Sequence, residues 1–495
     1  MMASLILSDL FSKQLNNGGL ANIIISGISA DSRNVKPGDI FFALPGSNVN
    51  GTKFITDAIS RGAKVVVTDI KDNFTSEIPS NIYHIKLDNI RKFLSIAAAN
   101  FYQDQPDNII AVTGTNGKSS VVHFCREIWK KLHHKAVSIG TLGVIGDINL
   151  DQFPISSSLT TPDIIFIHKL LAALVKEKVN YVALEASSHG LQQYRIDNIK
   201  LKAAGFTSFS RDHLDYHGTI ENYFEAKSRL FSEVMESGNH AVLNSDITEF
   251  SVLRTIASKA GHCIIDYGKS ANVIKLLSLK TDVNNQYFSF KFNNQIYDVT
   301  TSMIGDFQVY NILCALGLVI SLGENIDNVV KVIDKLKPVP GRMEKVNIPA
   351  GNNQAIIVDY AHTPDALLNA LSSLRPLCQG KLIALFGCGG NRDQGKRAEM
   401  GKIAANYADS IIITDDNPRF ESDSKIRQDI MSGCPKAVEI AGREQAIEYA
   451  IKNMKAKDIL LLAGKGHEKV QIIANQQIEF DDVEIAKNLA WKYLA

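Results

Sequence analysis

The chain has 495 residues, 45% hydrophobic and 21% charged, a globular composition too long for one ordinary core and suited to about three domains. Its net charge of +1 removes any strong electrostatic case for nucleic acid or an anionic membrane. Six scattered cysteines without a C-x-x-C pair argue against a disulfide framework or zinc knuckle, and no apolar run approaches the roughly 20 residues that span a bilayer.

A cytoplasmic protein is therefore expected, and the N-terminus shows no basic segment leading into a long apolar core, so no signal peptide is expected. Residues 1–105 read as a small α/β domain. Ile23–Ile28 and Ile40–Leu44 are strand-like, with Asp31-Ser32-Arg33 between them and Pro37-Gly38-Asp39 as a turn. Phe54 to Ala63 reads as a helix and Lys64–Thr68 as a buried strand. The polar groups in Asp31-Ser32-Arg33 and Gly46-Ser47-Asn48-Val49 read as turn chemistry.

Gln103–Asn108 is a short polar linker into a second domain, residues 106–338. Its first stretch carries the strongest chemistry in the chain. Ile109–Val112 reads as a buried strand and runs into Gly114-Thr115-Asn116-Gly117, then Lys118-Ser119-Ser120. Apolar residues then recur at Val121, Phe124, Ile128 and Leu132, which is helical spacing. Strand, glycine loop, Lys-Ser and helix form the context of a phosphate-binding loop. The glycines let backbone N–H groups close around phosphate oxygens, and the helix N-terminus adds positive potential. Lys118 would neutralise terminal phosphates and the Ser119 hydroxyl would ligate Mg²⁺. The usual first glycine is replaced by Val112, so this is a shortened variant.

Further strands are expected at Ala136–Ile139, Tyr181–Glu185, Ala203–Phe209 and His240–Leu243, giving a mostly parallel sheet covered by helices. Ligands bind such sheets beyond the C-terminal strand ends, where Glu185, Ser187-Ser188-His189, Ser210-Arg211-Asp212-His213 and Asn244-Ser245-Asp246 fall. Glu185 and His213 can both reach a metal held by ATP phosphates. Lys227, with Tyr223 and Phe224 one turn before it, reads from its own neighbourhood as a solvated helix lysine.

Pro338-Val339-Pro340-Gly341-Arg342 opens a third domain, residues 339–495. Four buried strands, Ala355–Asp359, Leu382–Phe386, Ile411–Thr414 and Ile459–Leu462, each lead into a polar or glycine loop. That describes a Rossmann-like domain with one active edge. Arg392 and Arg419 on that edge suit bidentate grips on carboxylates, and Glu468 suits an ammonium, so a zwitterionic ligand is expected.

From residue types alone, this is a three-domain α/β enzyme that uses ATP. TGTNGKSS, LEASSHGL, DHLDYHG, PGRME, DYAHTPDAL, GCGGNRD, DNPR and AGKGHE also occur in this order over nearly the whole chain. That ordered set resembles the Mur ligase family. The resemblance implies a small N-terminal UDP-sugar-binding domain, a central P-loop ATPase-like domain and a C-terminal amino-acid-binding domain. It implies an ATP-dependent amide ligase that adds meso-diaminopimelate to UDP-N-acetylmuramoyl-L-alanyl-D-glutamate in cytoplasmic peptidoglycan synthesis. The working form would be a monomer with no nucleic-acid or membrane partner.

By the same resemblance, Gly114, Thr115, Asn116, Gly117, Lys118, Ser119 and Ser120 would hold the ATP phosphates, and Asn311, Arg342 and His362 would contact the nucleotide. Ser119 and Glu185 would share one Mg²⁺. Lys227 matches the family's carbamylated lysine, which would hold a second Mg²⁺ with His213. Ser32, Ser47, Asn48, Val49, Thr160, Thr161, Ser187, Gln193 and Arg195 would contact the UDP-sugar peptide. Arg392, Asp416, Asn417, Pro418, Arg419, Gly464 and Glu468 would meet the amino acid. Arg after Asn-Pro marks the diaminopimelate branch. Asp423 departs from the proline usual there, an expected small loop change. The alternatives are the same ligase using L-lysine, a folylpolyglutamate synthase-like ligase, and an ATP-hydrolysing switch.

Overall fold

The structure of the protein is a computed structural model. It describes residues 5–11, 23–46, 49–72, 78–148, 159–281, 285–349 and 354–494. Three larger sheets organise these residues. In the first, Ile28–Ser29, Ile40–Phe42, Val65–Asp69 and Tyr83–Leu87 run parallel in that order. The helix Ile90–Tyr102 covers one face with Leu94, Ala97, Ala98 and Phe101. The expected helix over 54–63 is shorter. Asn50 caps a 3₁₀ turn at Gly51–Phe54, and the α-helix occupies only Ile55–Ser60, stopping before Gly62 at φ +102°.

Among the described residues the central sheet has ten strands. From one edge they are Gln295–Thr301, Gln286–Phe292, Ile274–Thr281, Cys263–Gly268, His240–Asn244, Leu201–Phe206, Asn108–Thr113, Tyr181–Glu185, Ala136–Gly140 and Gly143–Gly146. The middle is parallel, as expected; the edge pairings of Ile274–Thr281 with Gln286–Phe292, the latter with Gln295–Thr301, and Ala136–Gly140 with Gly143–Gly146 are antiparallel. The expected strand over 203–209 instead spans Leu201–Phe206, which frees Thr207–Ser210 for the active edge.

Both faces of this sheet are covered, which is why its strands read as continuous apolar runs. Ile110 and Val112 join the core under the helices Lys118–Lys131 and Asp306–Ser321, while Ile109 and Ala111 join the opposite one. The last sheet orders Glu344–Lys345, Ala355–Asp359, Ile459–Ala463, Leu382–Phe386, Ser410–Ile413 and Val438–Glu439. It is parallel apart from its first pair. The four expected strands are its centre. Among the described residues no helix is long and apolar enough to cross a membrane.

Candidate active site

The loop after the central strand Asn108–Thr113 is built on two glycines that a side chain cannot replace. Gly114 and Gly117 have φ of +140° and +88°. A Cβ on Gly114 would collide with the Thr207 hydroxyl, and one on Gly117 with the Asn311 amide oxygen. Asn311 therefore lies against the glycine loop. Ser208 holds the loop from the next strand end: Thr115 N donates to Ser208 O at 2.8 Å and Asn116 N to Ser208 Oγ at 3.0 Å. Gly117 opens the helix Lys118–Lys131, whose first turn carries buried Ser119 and Ser120.

Two lysines converge on one carbonyl. Lys118 Nζ donates to Gly114 O and Thr115 O, each at 2.8 Å, and Lys227 Nζ donates to Gly114 O at 2.8 Å. Lys227 is 1% exposed, so its local reading as a solvated helix lysine is wrong. Thr219 caps its helix, Ile220–Arg229, and the helix packs its buried face, Tyr223, Ala226 and Lys227, under the phosphate loop. The Lys227 ammonium lies 4.5 Å from the Tyr223 ring centroid. Burial, then the charge of Lys118, holds the Lys227 pKa well below that of an ordinary lysine. Burial also lowers Lys118, against the pull of Glu185 and Asp212.

Glu185 ends its strand as expected. Its carboxylate accepts from Thr141 N at 2.8 Å and Thr141 Oγ1 at 3.1 Å, and Thr141 Oγ1 reaches Thr160 Oγ1 at 3.2 Å. Thr161 donates to Glu185 O at 2.8 Å and lies 2.9 Å from Ser187 Oγ. Arg195 donates to Thr161 O at 2.7 Å and to the Gln193 amide oxygen at 2.7 Å. Thr160, Thr161, Ser187, Gln193 and Arg195 thus form one hydrogen-bonded patch with Glu185. Ser32, on the 3₁₀ turn Ser32–Asn34 capped by Asp31, joins none of those bonds. Val49 is exposed; Ser47 and Asn48 lie outside the described residues.

His213 caps a short helix at φ +52° and lies 3.4 Å from Asp212, with its ring 4.9 Å from that of His189. Burial lowers its pKa, opposed by Asp212, which favours a neutral ring able to ligate metal. No three His, Cys, Asp or Glu groups converge on a metal site among the described residues. Glu185 and His213 are only two such groups. A metal held by these two would need a hydroxyl, phosphate oxygens and water as further ligands, a donor set that suits Mg²⁺.

Beside the loop opens a cleft of about 400 Å³, lined by Gly117, Ser120, Asn311, Arg342 and Asp365 among others. Asp365, on the helix Pro364–Leu374, bridges to the central domain: Asn116 Nδ2 donates to it at 3.0 Å and Ser210 Oγ at 3.2 Å. The Arg342 guanidinium lies 4.4 Å from the Tyr360 ring centroid, and His362 Nδ1 is 2.9 Å from Tyr360 O. Burial, then Lys396, pushes His362 down to about 4.

A second polar cluster gathers at the strand ends of the last sheet. Asp416 and Asn417 are buried, and Asn417 Nδ2 donates to Glu468 Oε2 at 2.8 Å. Pro418 is buried between them and Arg419. Arg419 takes a left-handed backbone, φ +53°, and donates to Gly390 O at 3.0 Å. Arg392 is exposed and donates to its neighbour Asn391 O at 3.1 Å. Neither arginine has an ion-pair partner among the described residues, and burial, then Arg392, lowers the Arg419 pKa. A Cβ on Gly464, φ +112°, would come within 2.7 Å of Asp416 Oδ2. Asp423 opens the helix Asp423–Met431, where an acid suits the dipole as proline suits the fixed φ. The loop keeps its anchor, since Glu421 accepts from buried Arg397 at 2.8 Å.

Sequence reasoning missed Thr141, Asp365 and Lys465. The last stood inside AGKGHE, and Lys465 between two glycines was the available signal.

Known proteins match the chain along most of its length. Residues 24–102 match the Mur ligase family catalytic domain, 112–319 the Mur ligase middle domain and 341–466 the Mur ligase glutamate ligase domain. The chain is 43% identical over 467 residues to a UDP-N-acetylmuramoyl-L-alanyl-D-glutamate–2,6-diaminopimelate ligase of Zymomonas mobilis, covering 94% of each chain. It is 44% identical to the like-named protein of Rickettsia bellii, covering 93% of this chain and 95% of that one. A solved structure of a ligase with that name aligns at TM-score 0.70 and 30% identity, over 99% of both chains. A folylpolyglutamate synthase of Mycobacterium tuberculosis aligns at TM-score 0.63 and 18% identity, over 76% of this chain and 92% of that one, a likeness of fold alone.

Proposed function

The chain belongs to the Mur ligase family, and from that premise we propose that it is an ATP-dependent amide ligase. It joins meso-diaminopimelate to the D-glutamyl carboxylate of UDP-N-acetylmuramoyl-L-alanyl-D-glutamate, as a cytoplasmic monomer in peptidoglycan synthesis. The observation that carries this reading is identity of 41–44% with ligases of that name along almost the whole chain. Residues 1–105 would bind the UDP-sugar, 106–338 ATP and 339–495 the amino acid.

A carboxylate is a poor acyl donor, so it must be activated. In the first step a D-glutamyl oxygen attacks the γ-phosphorus, the bond to ADP breaks, and an acyl phosphate forms. Lys118 and the amides of Gly114–Ser120 would hold the phosphates, Asn311, Arg342 and His362 the rest of the nucleotide. In the second step the amine of diaminopimelate attacks the acyl carbon, loses a proton, and phosphate leaves from the tetrahedral intermediate. The patch of Thr160, Thr161, Ser187, Gln193 and Arg195, with Ser32, Ser47, Asn48 and Val49, would position the UDP-peptide. Asp365, spanning to Asn116 and Ser210, suits a domain contact that brings amine and acyl phosphate together.

Mg²⁺, held through Ser119, Glu185, His213 and Lys227, would neutralise charge on the transferring phosphoryl group. Lys227 fits the required modification. Its buried amine is pushed toward the neutral, nucleophilic form, so its nitrogen can bond to the carbon of CO₂ and release a proton, leaving a carbamate anion. In the last domain Arg419 and Arg392, which have no ion-pair partner among the described residues, would pair with the carboxylates of the amino acid. Asp416, Asn417, Pro418, Gly464 and Glu468 would shape its ammonium side. Lysine lacks the far carboxylate and would leave Arg419 unpaired, a difference of about 2–5 kcal/mol.

The test is phosphate release from ATP with the UDP-dipeptide substrate, adding meso-diaminopimelate or L-lysine in parallel. Release that needs both the UDP-peptide and diaminopimelate is expected. Release with lysine alone would reassign the pocket, and release indifferent to both would replace the ligase by an ATP-hydrolysing switch.

A further inference from the structure

Lys465 is wholly buried, and nothing in the reaction above uses it. It stands between two left-handed glycines, Gly464 at φ +112° and Gly466 at φ +54°. A Cβ on Gly466 would lie 2.6 Å from Gly341 O and 2.7 Å from the Tyr360 Cβ. The turn is thus pinned to its neighbours, and the lysine points inward beneath the amino-acid pocket. Its Nζ donates to Val470 O at 2.6 Å and lies 3.4 Å from both Asn417 Oδ1 and Glu468 Oε2.

The three partners have different consequences. Val470 O fixes where the ammonium sits. Asn417 Oδ1 also accepts from Ile472 N at 2.9 Å, so its oxygen is committed to the lysine side and its Nδ2 is left to donate to Glu468 at 2.8 Å. Glu468 therefore has a single oxygen engaged by both Asn417 and Lys465, and its other oxygen is left out of these bonds.

We propose that Lys465 is a positioning residue of the amino-acid pocket, a buried cation that keeps Glu468 ionised and Asn417 turned so that the pocket receives an ammonium group. This rests on the reading of Glu468 as an ammonium acceptor. The surrounding charges show why a cation is needed. Burial raises the Glu468 pKa and Asp416 raises it further, while Lys465 and the Asn417 amide oppose them. Around the carboxylate stand Asp416 and Arg419 from the loop after Ser410–Ile413, Tyr360 from the strand end Ala355–Asp359, and Arg443 from the helix Arg443–Asn453. Arg443 is engaged with Asp482 at 2.6 and 2.8 Å, which leaves Lys465 as the cation hydrogen-bonded to Glu468 among the described residues. Without it, burial and Asp416 would drive Glu468 to take up a proton, and a neutral carboxyl is a poor partner for an ammonium.

The experiment measures KM for meso-diaminopimelate and for ATP between about pH 6 and pH 9 in the full-length enzyme and in Lys465→Met, Lys465→Arg and Glu468→Gln. Lys465→Met should raise KM for the amino acid about tenfold or more at the acidic end, recovering as pH rises and Glu468 ionises. KM for ATP should not move, and Lys465→Arg should keep the natural pH profile. A loss in Lys465→Met that is the same at every pH, or an equal rise in KM for ATP, would reduce the lysine to a packing role and overturn the proposal. Should Lys465→Met not fold, Lys465→Gln carries the same pH test. If Glu468→Gln leaves KM for diaminopimelate unchanged, the pocket assignment itself falls. If that variant is impaired while the Lys465 variants show no pH dependence, only the lysine's role falls.

Discussion

Two lysines in this protein are buried to nearly the same extent, Lys227 at 1% exposure and Lys465 at 0%, and the charges beside them differ. Lys227 meets a backbone carbonyl, the Tyr223 ring and, close by, a second cation, Lys118. Lys465 also meets a backbone carbonyl, and with it a carboxylate and an amide oxygen. Burial alone therefore says little about what a lysine does. Beside a cation and no bonded carboxylate, its pKa falls toward the neutral amine; beside a carboxylate, it can serve as a counter-ion. The two pockets differ accordingly. The phosphate loop sets two lysine amines on the Gly114 carbonyl without a hydrogen-bonded carboxylate on either, which suits a polyanionic substrate. The amino-acid pocket sets Arg392 and Arg419 against Asp416 and Glu468, which suits a zwitterion.

The largest effect should come from removing the reactive amine. Lys227→Met should lower kcat by about 10²- to 10³-fold, the scale of losing one electrostatic contributor to a transition state, with little change in KM for diaminopimelate. Phosphate release under saturating substrates measures it. Turnover at the natural rate would end the distinction between the two lysines. Next is Arg419→Ala, which should raise KM for diaminopimelate by about 30-fold or more, equivalent to at least 2 kcal/mol, while KM for ATP stays put. Equal losses for both substrates would show that the two pockets are not electrostatically separate. Smaller again is Gly464→Ala. A left-handed backbone and a Cβ near Asp416 should cost about 1–3 kcal/mol of stability, read as a lower denaturation midpoint, with the amino-acid pocket impaired and the phosphate loop spared.

The contrast between the lysines also explains what could be read from the sequence. The phosphate loop was legible because its glycines, Lys118 and Ser119 are contiguous, and local geometry decides them. The four central strands of the last sheet were legible because each is a short apolar run stopped by a glycine or polar loop. Lys227 was not legible from physics, because its burial depends on Gly114, 113 residues away; only resemblance to a family flagged it. Lys465 went unremarked because its partner Asn417 lies 48 residues away, a contact that only the fold makes. Tyr83–Leu87 and the hairpins over 274–301 were missed for a related reason. Their alternation of exposed and buried residues, as in Tyr83-His84-Ile85-Lys86-Leu87, mixes polar side chains into strands at sheet margins, so they lack a continuous apolar run.

The finest test of the comparison is stability against pH, measured in buffer freed of CO₂ so that Lys227 carries its amine. A lysine whose folded pKa lies below its unfolded value binds fewer protons folded than unfolded. Stability then rises with pH across the interval between that lowered value and the ordinary 10.5, and the burial cost is gone above it. Lys227→Met removes a group that is disfavoured throughout that interval. At neutral pH the variant should therefore denature at a higher midpoint than the natural chain, and the gap should close as pH climbs. Lys465→Met should go the other way at neutral pH, because Glu468 must then either stay charged without its bonded cation or take up a proton, and both cost stability. Midpoints that shift in the same direction for both variants would mean that burial, and not the neighbouring charge, governs the two lysines.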